Sequence, residues 1–498
     1  MKNLLVFSFS PAFVPPKSGG EVRLFNFYFE LSRYFNVTLL SSGHLGVKQE
    51  VVFHSNNFVE KRIPKDSYFV EQWQILTPHA GEGDLSGPCI AACGKFFTEL
   101  HRAYLEAYEA SDLIIHESPF TVDYDLFMGL DKKLRIYNSY NCEFELYKKL
   151  HVKSQSKFIS ELVHGAELKL LKHADLVTYC GEDDLSAFEK MLQGKLKRTK
   201  FVPNGMTVAP IFQRKVSEKN KHAVFIGSGH LPNVEAAYYI VKVLAPACPD
   251  ITFDIIGGCL PSGEYPQNVI RHGVIDLKLK SYLMASAAIA VNPMVTGSGS
   301  SLKIMDFVSH GIPVLSTPMG MRGFEFRDGV DCILREAEDF PDLLLTYINQ
   351  SERIKLMGLS AREFAIKNYT WTAIAENFRD LIDELSAQTK DSKSVSSYVL
   401  SLNDYDPFGA VGGGATRLNG LYQTIAEWSN LVVLCFSNGS TLEVRDIAPK
   451  IKCIYVPKSA DHISEEEYFN SRFHVSANDI VAFRHAGENT TLNSIMMF

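Results

Sequence analysis

The sequence contains no apolar run as long as the roughly 18 residues that mark a membrane-spanning helix, so none is expected. It has no CxxC pair either. The nine cysteines, at 89, 93, 142, 180, 248, 259, 332, 435 and 453, are scattered and odd in number. That pattern argues against a disulfide framework and reads as buried thiols in a reducing compartment. Cys89 and Cys93 have no downstream partner pair and make a poor zinc site. The histidines show no metal-ligand spacing. There is no basic excess: 50 Lys and Arg stand against 57 Asp and Glu, a net charge of -7. This argues against a general nucleic-acid binder, while an anionic small molecule needs only local positive potential. No small-residue cleavage site follows the short apolar run Met1 to Ser10, which passes into Pro11, Pro15, Pro16, Gly19 and Gly20. The run reads as a buried first strand feeding a loop rather than as a signal peptide.

At 498 residues the chain is too long for one core, and its 46% hydrophobic and 21% charged residues are ordinary for a globular protein. A strand at Leu4–Ser8, a helix pattern over Glu21–Tyr34 and a strand at Val37–Leu40 form a βαβ unit. Short apolar runs at 112–115, 134–137 and 175–179, with a helical stretch over 158–173, continue the alternation. After Val202-Pro203-Asn204-Gly205 a fresh α/β pattern begins with the strand Ala223–Ile226 and a helix over about Asn233–Leu244, and ends in an amphipathic stretch from Trp371 to Leu385. The fold class expected is α/β with two doubly wound parallel sheets. Domains are expected at 1–203 and 204–386, followed by a polar linker at 387–396.

The tail, 397–498, resembles the start of the chain. Gly412-Gly413-Gly414-Ala415-Thr416-Arg417-Leu418 parallels Ser18-Gly19-Gly20-Glu21-Val22-Arg23-Leu24, and Tyr455-Val456-Pro457-Lys458 parallels Arg62-Ile63-Pro64-Lys65. A partial repeat of the first half-domain is expected. It is either the start of a second enzyme or an accessory domain.

Three loops carry the chemistry. Thr296-Gly297-Ser298-Gly299-Ser300-Ser301 opens a helix that continues Leu302-Lys303-Ile304-Met305-Asp306. Backbone N–H groups at such a helix start suit an anion, and Lys303 adds positive charge in the first turn. Asp306 can accept hydrogen bonds from ribose hydroxyls. Ordinary serine capping would produce a similar loop. Gly19 and Gly20 open the first helix, and Gly227 and Ser228 follow the first strand of the second domain. In doubly wound folds ligands sit at the carboxyl ends of the strands, so facing domains would gather all three loops around one cleft. His116 and Glu117 also fall at a strand's carboxyl end. They are catalytic candidates, although a histidine beside an apolar strand is commonly a packed side chain.

These residues resemble the family 4 (group 1) glycosyltransferases. The likeness runs through Ser18–Arg23, Ile136–Glu143, Glu167–Asp183, Val202–Gly205, Phe225–Ser228 with Pro232-Asn233, and most specifically Gly297–Phe324. The resemblance implies a GT-B fold, a nucleotide-diphosphate sugar (UDP- or GDP-sugar) as donor, no catalytic metal, no permanently bound cofactor, and transfer with retention to a glycan or lipid-linked acceptor. It places Gly299, Ser300, Ser301, Leu302 and Lys303 on the diphosphate, Asp306 on the ribose, Ile275 near the base, and Gly19, Gly20 and Arg23 across the cleft. It carries an expectation of polysaccharide synthesis in the cytoplasm, compatible with peripheral contact at the inner membrane face. The chain departs from the family at its paired glutamates, which fall on Ser298 and Asp306, and at Ser228, where an arginine is common. An epimerase or hydrolase on the same scaffold, or a binding protein that has lost catalysis, are the alternatives.

Overall fold

Strands such as Leu4-Leu5-Val6-Phe7 are apolar without alternation, which suits a sheet covered on both faces. The computed structural model describes residues 1–16, 18–45, 48–79, 85–93, 98–127, 133–150, 157–210, 221–297, 299–389, 398–403, 405–409 and 412–473. By contact the chain divides into two units: residues 1–92, 107–123 and 134–386, and residues 93–106, 124–133 and 387–498.

The first unit holds two sheets. In one, β1 (Asn3–Ser8), β2 (Asn36–Leu45), β3 (Glu50–Ser55), β4 (Phe58–Lys65), β5 (Leu113–His116), β6 (Leu134–Asn138), β7 (Leu176–Tyr179) and β8 (Thr199–Phe201) lie in the order β3-β4-β2-β1-β5-β6-β7-β8. The strands pair in parallel except for the β3–β4 hairpin. The other contains β9 (Lys221–Ile226), β10 (Ile251–Ile256), β11 (Val269–Gly273), β12 (Ile289–Asn292), β13 (Val314–Ser316) and β14 (Ile333–Leu334), in the order β11-β10-β9-β12-β13-β14 and parallel throughout.

The helix Gly19–Leu31 starts where the Ser18 side chain accepts a hydrogen bond from Glu21 N, and it buries Leu24, Phe27, Tyr28 and Leu31 at helical spacing. Those side chains share one core with Leu4, Val6 and Leu39, and with Trp371, Ile374, Phe378 and Ile382 of the helix Trp371–Thr389. That last helix therefore completes the first lobe although it follows the second in sequence. The second lobe has its own core on each face of its sheet. The two chain crossings between lobes lie side by side: Met206 bridges Thr370, and its N–H donates to Tyr369 O at 2.7 Å.

Differences from the sequence reading are local. The first helix begins at Gly19, ahead of the apolar pattern, and the helix expected through Leu244 runs over Leu231–Tyr239 and continues as a π-helical turn at Ile240–Leu244. The β3–β4 hairpin was not foreseen, because half-exposed antiparallel strands give a weaker apolar signal than buried parallel ones. Most of the expected linker, 390–396, lies outside the described residues, as does the tail beyond 473.

In the second unit, β15 (Tyr398–Asn403), β16 (Asn430–Ser437), β17 (Glu443–Ala448) and β18 (Ile451–Pro457) form a sheet in the order β15-β16-β18-β17, with β17 antiparallel to β18. The helix Gly413–Trp428 connects β15 to β16. This order and these senses match β1-β2-β4-β3 of the first sheet. Among the described residues no helix is long and apolar enough to cross a membrane.

Candidate functional site

The helix Leu302–Ser309 and the loop before it sit at the carboxyl end of the second-lobe sheet, facing the first lobe. A side chain added at Gly19 would meet Leu302 Cδ1 at 2.6 Å, so the starts of the two helices touch. Across the same line Gly299 lies over Tyr140 O and Asn141 Cβ, 3.5 and 3.9 Å from where its own Cβ would stand. The Asn204 side-chain amide donates to Ser300 Oγ. Gly20 is nearest to Tyr140. Ser301 is the N-cap residue of its helix but makes no side-chain cap bond; its hydroxyl is buried and has no hydrogen-bond partner among the described residues. Its N–H is held by Arg322 O at 3.2 Å.

Lys303 joins this helix to the second-lobe glycine loop. Its Nζ donates to Asn233 Oδ1 at 2.5 Å and lies 4.6 Å from the Phe225 ring centre. Asn233 in turn donates to Ser228 Oγ at 3.1 Å, and a side chain at Gly227 would strike Asn233 Cβ at 2.8 Å. Gly227, Ser228 and Lys303 are thus gathered around Asn233. Burial, with the nearby Arg322 adding to it, pushes the Lys303 ammonium down to about 7. Asp306, one turn on, pairs with Lys280 Nζ at 2.8 Å and remains about two-fifths exposed. Ile275 packs beside Ile226 against the core that contains Ile304 and Met305. Ser298 lies outside the described residues.

Three of the expected site residues are buried. Arg23 does not reach over the loop at Ser300. Its guanidinium is 1% exposed and donates to Val202 O, Pro203 O, Asn204 Oδ1 and Asn138 Oδ1 at 3.0–3.2 Å. It ties the first helix to the lobe crossing instead. His116 is fully buried, with Nδ1 2.9 Å from Thr121 Oγ1, and belongs to the lobe interior. Glu117 is 3% exposed and accepts hydrogen bonds from Tyr28, Asn138 and Tyr140. Burial raises its carboxyl above the usual range. Through Tyr140 it braces the surface that packs against Gly20 and Gly299.

Beside the Gly297–Gly299 loop lies a cleft of about 650 Å³, lined from the first lobe by Asn141, Lys149, Asp183 and Asp184 and from the second by Arg322 and Gly323. The Arg322 guanidinium occupies the space a Gly297 side chain would need, 2.5 Å from that Cβ position. Asp184 accepts from Cys142 N at 3.0 Å, and burial pushes its carboxyl up to about 6. Glu167 is buried beneath the same wall and accepts from the N–H groups of Glu143 and Phe144, fixing the Asn141–Glu143 segment. Sequence reasoning missed Asn233, Lys280 and Asp184 as site residues. Asn233 was visible only as part of a Pro-Asn helix start, and the Lys280–Asp306 and Asp184–Cys142 pairs join residues 26 and 42 positions apart.

Two facing α/β lobes built on largely parallel sheets, each with a glycine loop after its first strand and joined by a paired crossing, define the GT-B class of fold. Solved structures agree. The chain resembles sucrose-phosphate synthase from Thermosynechococcus elongatus at a TM-score of 0.57 and 16% identity, over 78% of this chain and 100% of that one. It resembles α,α-trehalose 6-phosphate synthase from Burkholderia multivorans at 0.55 and 10%, over 79% and 100%. HepE from Anabaena, solved in complex with UDP and glucose, matches at 0.51 and 13%, over 77% and 100%. Residues 220–350 match the family described as glycosyl transferases group 1. Residues 220–350 are thus similar to group 1 glycosyltransferases, and the chain has a GT-B fold. A search of curated protein sequences finds no match.

Proposed function

We propose that this chain transfers a sugar from a nucleoside diphosphate donor, a UDP- or GDP-sugar, to a glycan or lipid-linked acceptor with retention at the anomeric carbon. The observation that carries this reading is the start of the helix Leu302–Ser309. It carries a buried Ser301 hydroxyl with no hydrogen-bond partner among the described residues and a buried Lys303, and the first helix at Gly19 and the Tyr140–Asn141 segment pack against it. A departing diphosphate gains negative charge as the glycosidic bond breaks. Preorganised N–H dipoles and a cation in a water-poor site stabilise that charge, typically by several kcal/mol.

In this reading residues 204–386 hold the donor, with Asp306 and Lys280 at the ribose and Ile275 at the base. Residues 1–203 hold the acceptor, and 397–498 form the partial repeat, without catalysis of their own. The cleft beside Gly299 accommodates the transferred sugar and the acceptor, with Arg322 and Asp184 on its walls. A donor phosphate oxygen is the base for the incoming hydroxyl, and no metal takes part. The complexes of HepE with UDP and glucose favour a uridine donor. Synthesis of surface polysaccharide in the cytoplasm, with peripheral contact at the inner membrane face, fits this chemistry.

Incubating the protein with a panel of nucleoside diphosphate sugars and candidate glycan acceptors, read by mass spectrometry and by the anomeric configuration of the product, tests the proposal. An α-linked product from an α-linked donor supports it. Acceptor-independent release of free sugar, or an epimerised donor, would mean a hydrolase or epimerase on this scaffold.

A further inference from the structure

The second unit contains a cluster that the glycosyltransferase reading does not use. Cys435 Sγ and Cys453 Sγ are 3.5 Å apart, and with a carboxylate oxygen of Asp406 all three ligand atoms lie within 4.8 Å of one another. Both cysteines are at most 2% exposed. Cys435 lies toward the carboxyl end of β16, Cys453 lies within β18 two residues before the partner of Cys435, and Asp406 comes from the loop that follows β15. In open α/β sheets this end is where ligands bind.

The first sheet shows what this position ordinarily does. There Ser41 faces Arg62, Leu39 faces Glu60 and Ser8 faces Ser41. By the same register Cys435 faces Tyr455, Val433 faces Cys453 and Asn403 faces Cys435. Cys435 thus stands at the place of Ser41, Cys453 at that of Glu60, and Tyr455 at that of Arg62. In the first sheet Glu60 is one anion held by donors: the Ser41 hydroxyl at 2.7 Å, Ala12 N at 3.0 Å, and Arg62 at 3.0 Å. It pins the loop after β1 to the sheet. At the matching place in the tail the Cys453 thiol stands for the Glu60 carboxylate and bonds Tyr455, while the Cys435 thiol stands for the Ser41 hydroxyl and the Asp406 carboxylate comes in from the loop after β15. The nearby Arg445 is already engaged by both oxygens of Glu443, at 2.5 and 2.7 Å. Three groups that can each carry negative charge converge there, and a cation would balance them.

A disulfide fits the backbone poorly. The cysteines are diagonal neighbours, two residues out of step. With strands about 4.8 Å apart and about 3.3 Å of rise per residue, their Cα atoms are about 8 Å apart, beyond the roughly 7 Å that a disulfide spans. Sulfurs bound to one tetrahedral zinc at about 2.3 Å sit about 3.8 Å from each other, close to the observed separation.

We propose that Asp406, Cys435 and Cys453 bind a thiophilic divalent cation, zinc, which staples the loop after β15 to the sheet as Glu60 pins the loop after β1. Water completes the fourth position. The test is a titration of the full chain, stripped of metal and kept reduced, with Zn²⁺ against a chromophoric chelator, and with Co²⁺ as a spectroscopic probe. The expected result is about one tightly bound zinc per chain, with sulfur-to-cobalt charge-transfer absorption. Cys435→Ser and Cys453→Ser abolish both signals. Asp406→Asn keeps the cobalt band but weakens zinc binding by more than the roughly 10–100-fold that loss of an outer-shell partner costs. Absence of zinc uptake by the wild type overturns the proposal on its own, whatever the variants do. So does equal uptake by wild type and Cys435→Ser, or a mass short of two hydrogens showing a Cys435–Cys453 disulfide in the protein as purified.

Discussion

Arg23 and Lys303 are two cations expected at one diphosphate, and burial separates their roles. Arg23 spreads its guanidinium over four acceptors on the lobe crossing and beside Glu117, all inside the first lobe. Removing one partner of such a buried charged network leaves the others unpaired, at a cost of about 3–5 kcal/mol. Arg23→Ala is therefore expected to lower stability by that amount in chemical denaturation. Full stability with lost turnover would instead place Arg23 on the substrate.

Lys303 behaves differently because burial disfavours its ammonium form, so in the free protein its charge fades as pH rises through about 7. A bound diphosphate restores the charge. Donor binding is then expected to take up a proton near neutral pH and to weaken as pH rises through that range, which calorimetry in buffers of different ionisation heat will measure. Binding with no proton uptake contradicts this. The stability effect has the opposite sign. Between about 7 and the ordinary lysine value the unfolded chain binds more protons, so the unliganded fold gains stability as pH rises there.

Helices and buried strands were the most readable elements. The apolar spacing of Leu24, Phe27, Tyr28 and Leu31 marks the first helix, and continuous runs such as Leu4–Phe7 mark parallel strands. What stayed hidden is contact between elements. Gly19 reads as a loop residue in the sequence, and only the fold shows that its missing side chain leaves room for Leu302. Gly19→Val drives a wedge between the two helix starts. It is expected to cut turnover by about tenfold, ~1.4 kcal/mol, with little change in melting temperature. Gly20→Ala, whose new methyl would stand 3.8 Å from Tyr140, serves as the control and should stay near wild type. Equal activity of both variants would remove the first helix from the site.

At the scale of the whole chain, the arrangement of two α/β lobes could be read from alternating strand and helix patterns and from the Pro203-Asn204-Gly205 crossing. The return of the helix Trp371–Thr389 to the first lobe depends on packing, with Phe378 against Phe27 at 5.1 Å between ring centres. The expected diphosphate and ribose groups come from one short segment, Gly299–Asp306, which is why local sequence could suggest them. At Arg23, in the first helix, and His116, at a strand end, the side chains are buried, which local sequence did not show. Nothing in local sequence distinguishes a side chain that faces the opening from one that braces the wall behind it.

The central claim is that the start of the helix Leu302–Ser309, with Lys303, grips a pyrophosphate between the lobes. Calorimetric titration of UDP and GDP into the wild type and Lys303→Ala tests it most directly. The account predicts that the wild type binds one of them, and that Lys303→Ala binds it at least about tenfold more weakly, ~1.4 kcal/mol, at unchanged melting temperature. Equal affinity in the two proteins, or no binding of either nucleotide by the wild type, would contradict it.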